Sequence, residues 1–141
     1  MRRAPHRWAW PLFLAGAMSA CTLVGDDLYP VLDDVAPRVV ETFPADGWRQ
    51  VPTGIEPVVW FSEPLEAATV HLGSLALTSG DLVQRCRYRV EASDGRGRVT
   101  LEPLAPLLPG VAYQLRIGVG LADLAGNPLP DGVTVSFWTL R

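Results

Sequence analysis

The sequence contains no lysine: all 12 of its Lys and Arg positions are arginine. That removes Schiff-base chemistry and a lysine-tipped phosphate loop from consideration. It is nearly as poor in the other reactive side chains, with histidine only at His6 and His71 and cysteine only at Cys21 and Cys86. Such a set is too sparse for a zinc site and provides neither a Ser-His-Asp set nor a Cys-His pair once the N-terminal segment is set aside. Charged residues make up just 19%, which argues against coiled coils, long amphipathic helices and charge-driven disorder. What the chain has in quantity is turn formers, 13 Gly and 13 Pro in 141 residues, together with 48% apolar residues. The balance describes one turn-rich β domain behind a targeting segment.

The segment is residues 1–20. Arg2, Arg3, His6 and Arg7 form a basic start, and Trp8 to Ala20 is an uncharged, mostly apolar run that would reach only about 20 Å as a helix. A membrane core is about 30 Å thick, so the run is a secretory signal and not a span. Met18-Ser19-Ala20-Cys21 resembles the bacterial lipobox, and the resemblance implies cleavage before Cys21 and a covalent lipid on its sulfur. Met18 stands where that pattern usually has Leu, and Ala15-Gly16-Ala17 offers a plain signal-peptidase site as the alternative. Residues 21–36 read as an acidic tether, since Asp26, Asp27, Asp33 and Asp34 occur there without a cation. After cleavage 9 arginines face 15 acids, a net charge of −6, which disfavours nucleic acid as a partner.

From residue 37 to 141 the apolar residues fall at period two in short runs between Pro, Gly and Asp clusters, the pattern of an antiparallel β-sandwich. Val111, Tyr113, Leu115 and Ile117 make one such row, and Val133, Val135 and Phe137 another. Asp94-Gly95 is a two-residue hairpin turn, which sets Ser93 opposite Arg96 and, counting outwards, Val90 opposite Val99 and Tyr88 opposite Leu101. The same register sets Glu91 against Arg98 and Arg87 against Glu102, so both faces agree with it. Ser62 and Pro64 suit the start of a helical turn through Glu66-Ala67-Ala68.

Pro44-Ala45-Asp46-Gly47, Trp60-Phe61-Ser62-Glu63-Pro64-Leu65, the stretch from Pro103 to Tyr113, Asp123-Leu124-Ala125-Gly126-Asn127-Pro128-Leu129 and the closing Phe137-Trp138-Thr139 together resemble a bacterial Ig-like domain of the S-layer-protein type. The resemblance covers residues 37–141 and implies an all-β, Ig-like antiparallel sandwich of about seven strands, used as a spacer or binding module on bacterial surfaces. It also implies a tyrosine-corner role for Tyr113, its hydroxyl bonding backbone across the sandwich.

Candidate site residues are few. The inward parity of Phe61 and Phe137 turns Trp60 and Trp138 outward, and exposed indoles serve as interface or sugar-stacking platforms. The resemblance puts these two on different sheets, and each is placed to lie under an arginine stem. Arg85, Arg87 and Arg89 form an outward stripe, read either as a grip on an anionic polysaccharide or lipid A phosphates or as a solvated face that blocks edge pairing. Cys86 shares the inward parity of Tyr88 and reads as a small hydrophobe. Asp123, Asn127 and Asp131 have oxygen ligands at close spacing, but such residues are equally what a tight turn requires, so no metal is assigned. No cofactor is expected beyond the covalent lipid on Cys21.

The sequence therefore reads as a non-enzymatic, lipid-anchored envelope protein that presents one Ig-like binding or structural module, at the outer membrane if the source has two. Its partners are the membrane, through the anchor, and an envelope protein or polysaccharide. The alternatives are a carbohydrate-binding accessory to a separate envelope or secreted enzyme, and an assembly scaffold that binds another envelope protein by an exposed strand edge.

Overall fold

The computed structural model describes residues 32–141. Cys21, the signal segment and most of the tether lie outside the described residues. Eight strands follow in order: β1 Val39–Phe43, β2 Val58–Phe61, β3 Leu75–Ser79, β4 Leu82–Gln84, β5 Cys86–Ser93, β6 Arg96–Pro103, β7 Ala112–Ile117 and β8 Val133–Trp138. They form two four-stranded sheets, β1-β2-β6-β5 and β4-β3-β7-β8, and every pairing between named strands is antiparallel. The first sheet and the β3-β7-β8 part of the second have the strand order of a seven-stranded constant-type Ig sandwich. The eighth strand is β4, three residues long, whose exposed Leu82 and Val83 show no alternation.

Alternation decides which side chains meet between the sheets. On β7 the burial pattern is strictly alternating, with Tyr113, Leu115 and Ile117 inside. From β2 and β6 come Val59, Phe61, Val99 and Leu101, and from β3 and β8 Leu75, Leu77, Val135 and Phe137. Phe61 and Phe137 are both 0% exposed, as their parity requires.

The β5–β6 hairpin has the register counted from its turn: Ser93 pairs with Arg96, Glu91 with Arg98, Val90 with Val99, Tyr88 with Leu101 and Arg87 with Glu102. Asp94 and Gly95 both adopt left-handed backbone, at φ 52° and 73°, the conformation whose twist matches a two-residue hairpin. Within β6 a glycine is required for a different reason. A Cβ on Gly97 would sit 2.5 Å from the carbonyl oxygen of Glu63, so the β2–β3 connection crosses this strand at a distance only glycine permits.

Two local expectations are corrected. The helical turn is a 3-10 turn over Ala67–Thr69 capped by the Glu66 side chain, while Ser62 Oγ instead accepts from the Arg38 N–H at 2.9 Å. Proximity decides this, because the residue before β1 lies beside the end of β2, where the Ser62 N–H also donates to the Arg38 carbonyl at 2.9 Å. The Tyr113 hydroxyl accepts from the N–H of Leu108, 2.9 Å away and five residues upstream, so its bond is local, as in a tyrosine corner. The hydroxyl that does cross the sandwich belongs to Tyr88 on β5, donating to the Leu75 carbonyl on β3 at 2.6 Å.

Candidate functional site

The sheet edges differ in how their backbone groups are used. At β8 the loop after β1 returns along the strand: Gly47 N–H donates to Ser136 O at 2.7 Å, Trp138 N–H to Trp48 O at 2.8 Å, Val51 N–H to Trp138 O at 3.0 Å and Leu140 N–H to Val51 O at 2.8 Å. Asp46 Oδ1 accepts from the Ser136 N–H at 2.8 Å. That edge is sealed. Among the described residues the β5 edge has no such cover: its eight residues pair with β6 alone.

Arg87 and Arg89 stand outward on β5 and both are exposed. They share one carboxylate, with Glu102 bonded to Arg89 and lying 4.0 Å from Arg87. Register made Arg87 the Cα partner of Glu102, but the side chains choose the diagonal, which long arginine stems reach. Arg85 is not part of that strand stripe. It precedes β5 at the step between sheets, where its carbonyl accepts from the Leu104 N–H at 2.9 Å.

On the same outer face, Trp60 is half-buried with the Arg98 guanidinium 5.9 Å from its ring centroid, and Arg98 Nε lies 3.9 Å from Glu91 Oε2. An open groove of about 690 Å³ runs beside them, with Arg96, Ser93 and Asp94 completing its wall. Trp138 is also half-buried, on the other sheet, under the guanidinium of Arg49 at 4.6 Å. Such contacts contribute about 0.5–1 kcal/mol at exposed sites. The two indoles thus belong to separate faces, each with an arginine over it.

Inward on β5, Cys86 is a free, half-buried thiol whose pKa burial pushes up to about 11. Tyr88 is raised to about 12 by burial and then by the neighbouring Cys86. Both are therefore neutral packing groups at ordinary pH.

The 120s loop is a turn held from within. Buried Asp123 accepts from the N–H groups of Ala125 at 2.9 Å and Asn127 at 2.8 Å and from the Asn127 side-chain amide at 2.9 Å. Burial pushes the Asp123 pKa up, but these bonds from Asn127 and Ala125 outweigh it and hold the carboxyl below its usual range. The Asn127 amide also donates to the carbonyl oxygens of Asp33 at 2.8 Å and Val35 at 3.3 Å, so the last residues assigned to the tether lie against this loop. Asp131 does not join Asp123. The carboxylates brought within 4.8 Å of one another are Asp33, Glu63 and Asp123, and Glu63 is shifted upward by desolvation and by the negative charge of Asp33 and Asp123. Sequence reasoning missed Asp33 and Glu63 as neighbours of Asp123. Glu63 sits in the Ser62-Glu63-Pro64 turn, and nothing in that turn indicates which distant loop it meets.

Two sheets in this order, a local tyrosine bond and one edge closed by a returning loop define an Ig-like sandwich module. A family model described as a bacterial Ig-like domain matches residues 33–139. The chain belongs to that family. Among solved structures it is similar to the N-terminal part of the bacterial S-layer protein SbsC, at 20% identity and a TM-score of 0.51 over 76% of this chain and 24% of that one. It is likewise similar to domains 1–6 of surface layer protein SbsC, at 20% identity and a TM-score of 0.52, covering 76% of this chain and 14% of that one. The chain thus spans a quarter or less of those proteins, and the likeness is one of fold. No curated protein matches.

Proposed function

We propose that this protein is a lipid-anchored module of the bacterial envelope that works by binding or spacing and performs no catalysis. The observation that carries the reading is the position of Cys21 directly after Met18-Ser19-Ala20, closing a basic-then-apolar segment ahead of a bacterial Ig-like domain. Two acyl chains on the sulfur-linked glyceride, with or without a third on the amine, give stable attachment, since each buried CH₂ contributes about 0.8 kcal/mol. Thr22 follows the cysteine, which under the enterobacterial sorting pattern directs a lipoprotein to the outer membrane. Surface residence also suits the S-layer proteins whose domains share the fold.

The non-catalytic part of the reading rests on how the reactive side chains are used. His71 Nδ1 accepts from the Gly73 N–H at 3.1 Å, and Cys86 is held as a neutral thiol. Both serve their own strands and loops. Intact mass and detergent partition of the wild-type chain and Cys21→Ser test the anchor. The reading requires an acylated N-terminus at Cys21 and transfer of the variant out of the membrane fraction, and an unacylated mature protein beginning at Met18 would overturn it.

A further inference from the structure

Among the described residues, β5 is the longest edge strand with no backbone partner on its outer side. In a two-residue hairpin the residues flanking the turn are hydrogen-bonded to each other, and the pattern alternates from there. Ser93, Glu91, Arg89 and Arg87 therefore direct their backbone groups to β6, and Ala92, Val90 and Tyr88 direct theirs outward. Among the described residues no loop bonds to the outer side of this strand. The other edges are poorer templates: β8 is sealed by residues 46–51, β4 has three residues, and β1 has five with an irregularity between Val39 and Glu41.

The side chains along the same edge are also unfinished. Tyr88 and Val90 point inward and remain half-exposed, although their partners Leu101 and Val99 are 0% exposed. Outward, Arg87 and Arg89 are 74% and 52% exposed and share the single carboxylate of Glu102. Charge is segregated in the same sense. Residues 85–102 carry five arginines against three acids, while the rest of the described chain carries four against ten. A strand added here would meet apolar demand on one face and positive charge on the other.

We propose that the β5 edge is a strand-addition site for an extended segment of another protein in which apolar residues alternate with Asp or Glu. The added strand would bond to the outward groups of Tyr88, Val90 and Ala92, cover the half-exposed inner residues and set its acids against Arg87 and Arg89. The arginines then select the partner. They discourage indiscriminate edge pairing, and centring a second copy on Tyr88 would place arginine against arginine. This goes beyond the envelope-module reading and is independent of lipidation, so the test below stands whether or not Cys21 is acylated.

The full chain in detergent is titrated with an end-capped octapeptide alternating valine and glutamate, and with its valine–lysine counterpart. The glutamate peptide is expected to bind and the lysine peptide not. Ala92→Pro, which removes one outward N–H at an edge position that tolerates proline, should weaken binding about tenfold or more. Arg89→Glu, at an exposed site, should shift preference to the lysine peptide, and both variants are first shown to melt cooperatively. Equal binding of the two peptides, or full binding by Ala92→Pro, overturns the proposal. So does a peptide-free dimer that Ala92→Pro dissolves, because the occupant is then a second copy, or binding of polygalacturonate to wild type and Ala92→Pro alike, because the arginines then serve a glycan.

Discussion

The β8 and β5 strands close opposite sheets of one sandwich and are finished in opposite ways. At β8, residues 46–51 return along the strand and take its backbone groups in five bonds of 2.7–3.0 Å. At β5 the inner residues stay half-exposed and the outer face carries two arginines. A sealed edge contributes to stability and is unavailable to partners, whereas an open one contributes less and remains a template for another strand. The same fold thus separates a sealed rim from an open one.

Replacing the core residue at each rim should give the largest difference. Phe137 under the sealed edge is fully buried and stacks with Tyr113 at 5.8 Å, so Phe137→Ala is expected to cost about 3–5 kcal/mol, a large part of a small domain's stability. Denaturant melts measure this, and a loss no greater than that of a surface substitution would break the comparison. At the open rim the equivalent probe is milder. Tyr88→Phe removes only the hydroxyl bond to Leu75 and should cost about 1 kcal/mol, with the m-value unchanged.

Asp46→Ala takes one acceptor from the seal and leaves the Ser136 N–H to water. A loss of about 0.5–1.5 kcal/mol is expected, accompanied by faster amide exchange at Ser136. Unchanged exchange there would mean that the loop does not guard the edge.

The smallest effect concerns the carboxylates at the 120s loop, and its sign follows from the two shifts. Glu63 is raised in the folded protein, so its ionised form opposes folding above its folded pKa and has no such effect below its unfolded value. Asp123 is lowered, so it contributes stability above its unfolded pKa that is lost as pH falls through the folded one. Glu63→Gln introduces an N–H donor toward Asp123 while removing the repulsion. It should raise Tm at pH 7, with the gain disappearing below about pH 4. A lower Tm at pH 7 would show that the negative charge on Glu63 is useful.

Much of the open rim was legible in the sequence and little of the sealed one. Asp94-Gly95 dictates a turn, the turn dictates a register, and the register assigns every β5 residue to a face. Parity alone likewise placed Phe61, Phe137, Trp60 and Trp138. The seal depends on a loop from one sheet returning across the end of the molecule to the other, and no local pattern in Asp46 to Val51 encodes that path. The same limit applies to Asp33, Glu63 and Asp123, which are thirty and sixty residues apart and meet only because the 120s loop packs against the β2–β3 connection. Register also specifies Cα partners and not rotamers, which is why Arg89 and not Arg87 takes Glu102 most closely. β4 has no signature in the sequence because three residues, the first two of them exposed, carry no period.

Amide hydrogen exchange on the full chain in detergent, with and without the valine–glutamate peptide, tests the contrast most directly. The N–H groups of Ser136, Trp138 and Leu140 should exchange slowly in both states. Those of Tyr88, Val90 and Ala92 should exchange fast in the free protein and slow when the peptide is present. Slow exchange at all three β5 positions in the free protein, or no change on adding the peptide, would contradict the account.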